Sequence, residues 1–94
     1  MKIQVRQPYK IHPAKLKRYE MHYKIPASQA VIVPLKELDD EVSCDVRWQD
    51  AAGNTYLVEN TLFIKANLIP INSMLDDQLY DIWNFYYNNH EKGE

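Results

Sequence analysis

Apolar and polar residues alternate along most of this chain, and the spacing becomes helical only near the C-terminal end. A period of two puts alternate side chains on opposite faces of a strand, whereas spacings of three and four line one face of a helix. In residues 2–6, KIQVR, Ile3 and Val5 fall on one side and Lys2, Gln4 and Arg6 on the other, which predicts a half-buried strand. Pro8 and Pro13 bracket a short connector.

Residues 13–27, PAKLKRYEMHYKIPA, fit two patterns. As a helix, Pro13 sits near the first position, and Leu16, Tyr19 and Tyr23 share a face. As a strand, residues 19–25 alternate strictly, with Tyr19, Met21, Tyr23 and Ile25 on one side and Glu20, His22 and Lys24 on the other. The alternation is the cleaner pattern, and tyrosine and isoleucine favour strands. A strand over 17–25 is therefore expected, after a helical turn at 13–16 and ended by Pro26.

Further along, AVIV at 30–33 predicts a short buried strand that Pro34 pushes to an edge or a bulge. KELDDEV is a charged loop. SCDVRWQ alternates with Cys44, Val46 and Trp48 inward. DAAGN, residues 50–54, predicts a tight hairpin, with Asp50 opening a type I turn and Gly53 taking the left-handed position. TYLVENTLFIK returns as strand, either broken near Glu59–Asn60 or running on through Ile64. NLIPI is a last extended piece. Ser73 opens the predicted helix, with Ser73-x-x-Asp76 similar to a capping box and acids in the first turn. Leu75, Leu79, Ile82, Trp83 and Tyr86 form its stripe, and it runs to about Asn88.

This order of elements defines the expected fold class. It is α+β, a small curled antiparallel sheet or SH3-like, partly open barrel of about five strands with one C-terminal helix packed on it. Residues 1–88 form one small domain and 89–94 a polar tail. The run from Trp48 through Gly53 to Tyr56 loosely resembles the Tudor type of chromatin-reader barrel. Any antiparallel hairpin offers the same pattern, so no family follows from it.

Composition narrows the chemistry. Apolar residues make up 46% and aromatics 12%, enough for a packed core. The N-terminus lacks the apolar stretch of a signal peptide, and the longest aliphatic run falls far short of a membrane span. With a single cysteine no intrachain disulfide can form, which suggests a reducing, cytoplasmic setting. Gly53 alone precedes the terminal residues, which excludes the glycine-rich loops that let backbone approach a phosphate. His12, His22 and His90 have no metal-ligand spacing, and no cofactor is implied. A Cys44/His22 nucleophile pair is disfavoured because Cys44 falls on an inward face, where a thiol is inert. The acids at 39–41 read as a solvated loop. No catalytic constellation emerges, so an enzyme is not expected.

Charge is uneven. Residues 1–36 hold eight Lys or Arg against one acid, and residues 37–94 hold three against twelve. The halves are expected to fold together and interleave these charges. The leading functional expectation is a non-enzymatic protein-interaction or adaptor domain, self-association included, with Tyr80 and Tyr87 off the helical stripe as a candidate surface. The alternative is nucleic-acid binding through the basic Lys10 to Lys24 region. There Lys15, Lys17, Arg18 and Lys24 would meet phosphates, although strand alternation separates these charges from Tyr19 and Tyr23. A third arrangement groups Trp48, Tyr56 and Tyr23 as a cage for a cationic group, against the simpler reading of Trp48 and Tyr56 as a cross-strand pair. No membrane partner is expected.

Overall fold

The computed structural model describes residues 2–88, without the side chains of Tyr23 and Asn88. The expected tail at 89–94, with His90, lies outside the described residues. Five antiparallel strands form one open sheet in the order β4-β3-β2-β1-β5, and two helices flank it. The strands are β1 (Tyr9–Ile11), β2 (Val31–Glu37), β3 (Glu41–Gln49), β4 (Thr55–Ile64) and β5 (Leu68–Pro70). The helices are α1 (Leu16–Tyr23) and α2 (Asp77–Trp83).

The first strand is not at residues 2–6. That segment is irregular: Ile3 is buried but Val5 faces water, and Arg6 takes a left-handed φ of 64°. The Arg6 amide donates to the Pro34 carbonyl, and the Gln4 amide donates to the Tyr9 hydroxyl, so the segment is held by single bonds. The strand is instead the Tyr-Lys-Ile piece between the two prolines, read above as a connector. Tyr9 pairs with Ile32 on one side, and Tyr9 to Ile11 pair with β5 on the other.

Residues 16–23 are helix, not strand. Pro13–Lys15 forms a single 3-10 turn, with the His12 ring nitrogen accepting from the Ala14 amide. This turn starts the chain helically, and the helix formers Leu16, Lys17, Arg18, Glu20 and Met21 continue it. Tyr19 is buried in either pattern, so it cannot separate them. Met21 does: a strand would bury it beside Tyr19, and it is 74% exposed. Lys24, at φ 54°, ends α1 in the left-handed conformation, and its amide donates to the Glu20 carbonyl.

β2 runs past Pro34 to Glu37. Pro34 is buried mid-sheet opposite Cys44, and the register shifts between Pro34 and Lys36 to absorb it. The 50–54 hairpin closes as expected. The Gly53 amide donates to the Asp50 carbonyl, and Gly53 sits at φ 87°. β4 is continuous, with an irregularity at Glu59–Asn60 rather than a break.

The main core lies on one face of the sheet. Ile32, Val42, Cys44, Val46, Phe63 and Leu68 pack there with Tyr9, Ile11 and Tyr19, and Leu16 and Trp48 border them. The other face carries Val31 and Val33, both buried, and α2 packs over β2 and β3. α2 starts later than Ser73. Asn72 caps the preceding turn by accepting from the Met74 and Leu75 amides, and Asp76 accepts from the Asn72 amide. Leu75 is therefore outside the helix and 81% exposed, whereas Leu79 and Ile82 are buried as expected. A widened π-type turn continues from Asn84 to Asn88. Lys10 bonds Asp76 at 2.7 Å, joining the basic and acidic halves of the sequence.

Candidate interaction surface

Among the described residues, β4 carries more exposed large apolar side chains than any other element. It starts from the hairpin, where the Asp50 carboxylate accepts from the Ala52 and Asn54 amides, the Asn54 side chain and the Tyr56 hydroxyl. The Asn54 bonds, foremost, hold this carboxyl below its usual range. Tyr56 then stacks on Trp48 in the register-paired position, ring centroids 5.5 Å apart. A flat cross-strand stack accounts for both rings without a cage between them.

Halfway along β4, Cys44 pairs with Thr61 but Val46 pairs with Val58, so β4 carries one extra residue there. Asn60 takes the left-handed φ of 56° that this bulge requires, and asparagine tolerates it better than most residues. On the core face of β4 lie Tyr56, Val58, Thr61 and Phe63. On the opposite face lie Thr55, Leu57, Leu62 and Ile64. Phe63 alone is buried, at 1%, packed 5.2 Å from the Tyr19 ring. Tyr56, Leu57, Val58, Leu62 and Ile64 are all 40% to 50% exposed.

β4 is also the edge of the open sheet, so its outer backbone groups have no strand partner. The two edges differ in kind. β5 is three residues long and ends in exposed Pro70, the usual protection of an edge. β4 is ten residues long, with no lysine, arginine or proline, and its single charge is Glu59 at the bulge. The sequence showed β4 as a strand but not as an edge. The available signal was its apolar residues on both parities, Tyr56-Leu57-Val58 and Leu62-Phe63-Ile64, which calls for cover on both faces.

The basic residues sit on and beside α1. Lys15, Arg18 and His22 are three and four positions apart and share one flank, while Lys17 and Lys24 are seven apart and share another. Lys17, Arg18 and Lys24 are exposed and Lys15 is half-buried, and the four make no ion pair among the described residues. Arg18 and His22 border a cleft of about 200 Å³ that Leu62 and Ile64 of β4 also line.

Tyr80 and Tyr87 are both half-buried and do not form one patch. Tyr80 packs on Trp83, centroids 5.5 Å apart, beside a groove lined by Pro8, Tyr9 and Pro70. Tyr87 accepts a long bond of 3.4 Å from Arg47 Nε, and the Arg47 guanidinium lies 4.4 Å from the Tyr86 ring centre. Burial pushes the Tyr87 hydroxyl up, and the bond from Arg47 opposes it. Nearby, Asp45 on β3 has a buried Oδ1 without a hydrogen-bond partner. Burial, then the charge of Glu59, pushes its carboxyl up against the pull of Arg47.

Cys44 is fully buried on the core face, its thiol donating to the Val42 carbonyl at 3.6 Å, while His22 is exposed on α1. Burial and the neighbouring Asp45 push the thiol up to about 12. An open groove of about 580 Å³ runs between α2 and the 50–54 hairpin, lined by Leu79, Ile82, Phe85 and Asp50. Asp50 is already committed to the turn. No described helix is long and apolar enough to cross a membrane. No protein-family model, curated protein or solved structure matches this chain.

Proposed function

We propose that this chain is a small protein-interaction domain that accepts an extended strand along its β4 edge. The carrying observation is the ten-residue edge with five half-exposed apolar side chains on its two faces. Main-chain bonds along such an edge give affinity, and alternate side chains give selectivity. We read the sheet as an SH3-like barrel left open at β4, with β5 returning beside β1. The free buried thiol fits a reducing cytoplasmic setting.

A displayed library of random extended peptides, panned against the full chain, tests this reading. Selected peptides are expected to alternate apolar residues, to shift the amide resonances of residues 55–64, and to lose binding to a Leu57→Lys, Leu62→Lys variant. If neither a peptide nor a second copy of the chain perturbs those amides, the reading is wrong.

One observation favours nucleic acid as a second reading. Residues 16–23 are helical, so Lys15 and Arg18 lie on one flank of α1, with no acidic partner among the described residues. Fluorescence anisotropy with labelled single- and double-stranded oligonucleotides at low and physiological salt decides it. Phosphate contacts give binding that weakens steeply with salt and falls on Lys15→Ala or Arg18→Ala. No binding at low salt excludes it.

A further inference from the structure

The occupant of β4 can be taken further, on the basis of the edge-strand reading above. We propose that the strand added to β4 is β4 of a second copy, paired antiparallel about a two-fold axis that passes through the Glu59–Asn60 bulge. In that register Leu57 faces the partner's Leu62, Tyr56 faces the partner's Phe63, Val58 faces the partner's Thr61, and Thr55 faces the partner's Ile64.

Three features of the strand support it. First, the faces match. Tyr56, Val58, Thr61 and Phe63 share one face and Thr55, Leu57, Leu62 and Ile64 the other, and a two-fold perpendicular to the sheet keeps each face on its own side. Because the bulge inserts one residue, a shift of one position in either direction sets core-face residues against the opposite face. Backbone direction alternates with side-chain direction, so the residues brought opposite each other also present the same kind of backbone edge. The bulge, which often blunts an edge, here meets its own copy, two residues against two, and the ladder stays in step on both sides.

Second, the charge fits. Glu59 is the one ionised group on the strand. In this register it lies opposite the partner's Asn60, whose side-chain amide can donate to it. The register one step back would set Glu59 against itself.

Third, the area is of the right size. Five large residues at 40% to 50% exposure leave roughly 400 Å² in all, divided between the two faces with Tyr56 and Val58 on one and Leu57, Leu62 and Ile64 on the other, and an added strand draws on both faces. A standard interface covers about 800 Å² on each partner. The two backbones and the neighbouring Thr55 and Thr61 of the strand supply the remainder.

The test uses the full chain. Sedimentation equilibrium across micromolar to millimolar protein is expected to show a monomer–dimer equilibrium, and Leu57→Lys with Leu62→Lys, both on exposed side chains, is expected to leave a monomer with an unchanged circular-dichroism spectrum. Register is read by oxidative crosslinking. A mixture of Leu57→Cys chains with Leu62→Cys chains should form a disulfide-linked heterodimer, and either variant alone should not. Buried Cys44 leaves the background clean. A chain that stays monomeric at millimolar concentration, a dimer that survives the lysine substitutions, or a Leu57→Cys chain that crosslinks to itself each overturns the proposal. A monomer that still binds selected peptides through residues 55–64 overturns only the second copy and leaves the interaction reading standing.

Discussion

Phe63 is the one buried side chain of β4, and it closes the main core against Tyr19 of α1. Phe63→Ala removes a ring with 1% exposure from a site bounded by Val42 across the ladder and by the Tyr19 ring. Such truncations cost about 3–5 kcal/mol through lost burial and the cavity left behind. A chain of this length holds about 5–14 kcal/mol in all, so the variant sits close to unfolding. At about 4–8 °C per kcal/mol, its Tm should fall by at least about 12 °C. Urea denaturation followed by tryptophan fluorescence measures the loss, since Trp48 sits on the same face. Amide exchange should show β4 losing protection before β2 and β3. A double-mutant cycle with Tyr19→Leu isolates the ring pair, and a coupling of about 0.5–1.5 kcal/mol is expected. A loss below about 1.5 kcal/mol for Phe63→Ala, or no coupling, would mean that Phe63 does not pin the edge strand to α1.

Asp45→Asn should raise the Tm at pH 7. The raised carboxyl pKa means the folded state binds more protons than the unfolded one just above the ordinary carboxylate range, so stability drops as pH climbs through that window, and the gain from the amide should vanish when both forms are neutral at low pH. Cys44, pushed up to about 12, should resist thiol reagents at pH 8 in the native protein and react fully in guanidinium. Native reaction at the rate of a free thiol contradicts the burial. Asn60→Gly should be nearly neutral in denaturation experiments, while Asn60→Val should cost about 1–2 kcal/mol because its side chain opposes a left-handed backbone. Equal stabilities would argue against the bulge.

The sequence revealed the parts whose signal is local. The 50–54 turn, the Trp48/Tyr56 pair, the inward Cys44 and Val46, and Leu79 and Ile82 under α2 all stand where spacing and turn chemistry put them. The misses arose where one pattern served two structures. Tyr19 is buried whether residues 16–23 are strand or helix, so its burial did not choose between them, and the start imposed at Pro13 decided. Ile3 is buried without belonging to a strand. β1 has too few residues for a period to show, and tertiary pairing alone makes it a strand. The exposure of β4 was hidden for a different reason: its composition is that of a covered strand, and only the sheet order shows that no described strand pairs with its outer edge.

The place of β1 between β2 and β5 bears on how the chain reaches this fold. Gln49 and Thr55 pair across six positions of sequence, but Ile11 pairs with Leu68 across 57. The longer closure costs about 2 kcal/mol more in chain entropy, before any of its contacts can form. The β2–β3–β4 meander should therefore assemble first, with the β1–β5 ladder docking after the rate-limiting step. Ile11→Val and Leu68→Ala should then speed unfolding and leave the refolding rate nearly unchanged, whereas Val46→Ala should slow refolding. If Ile11→Val slows refolding as much as Val46→Ala does for an equal loss of stability, that order of assembly is wrong.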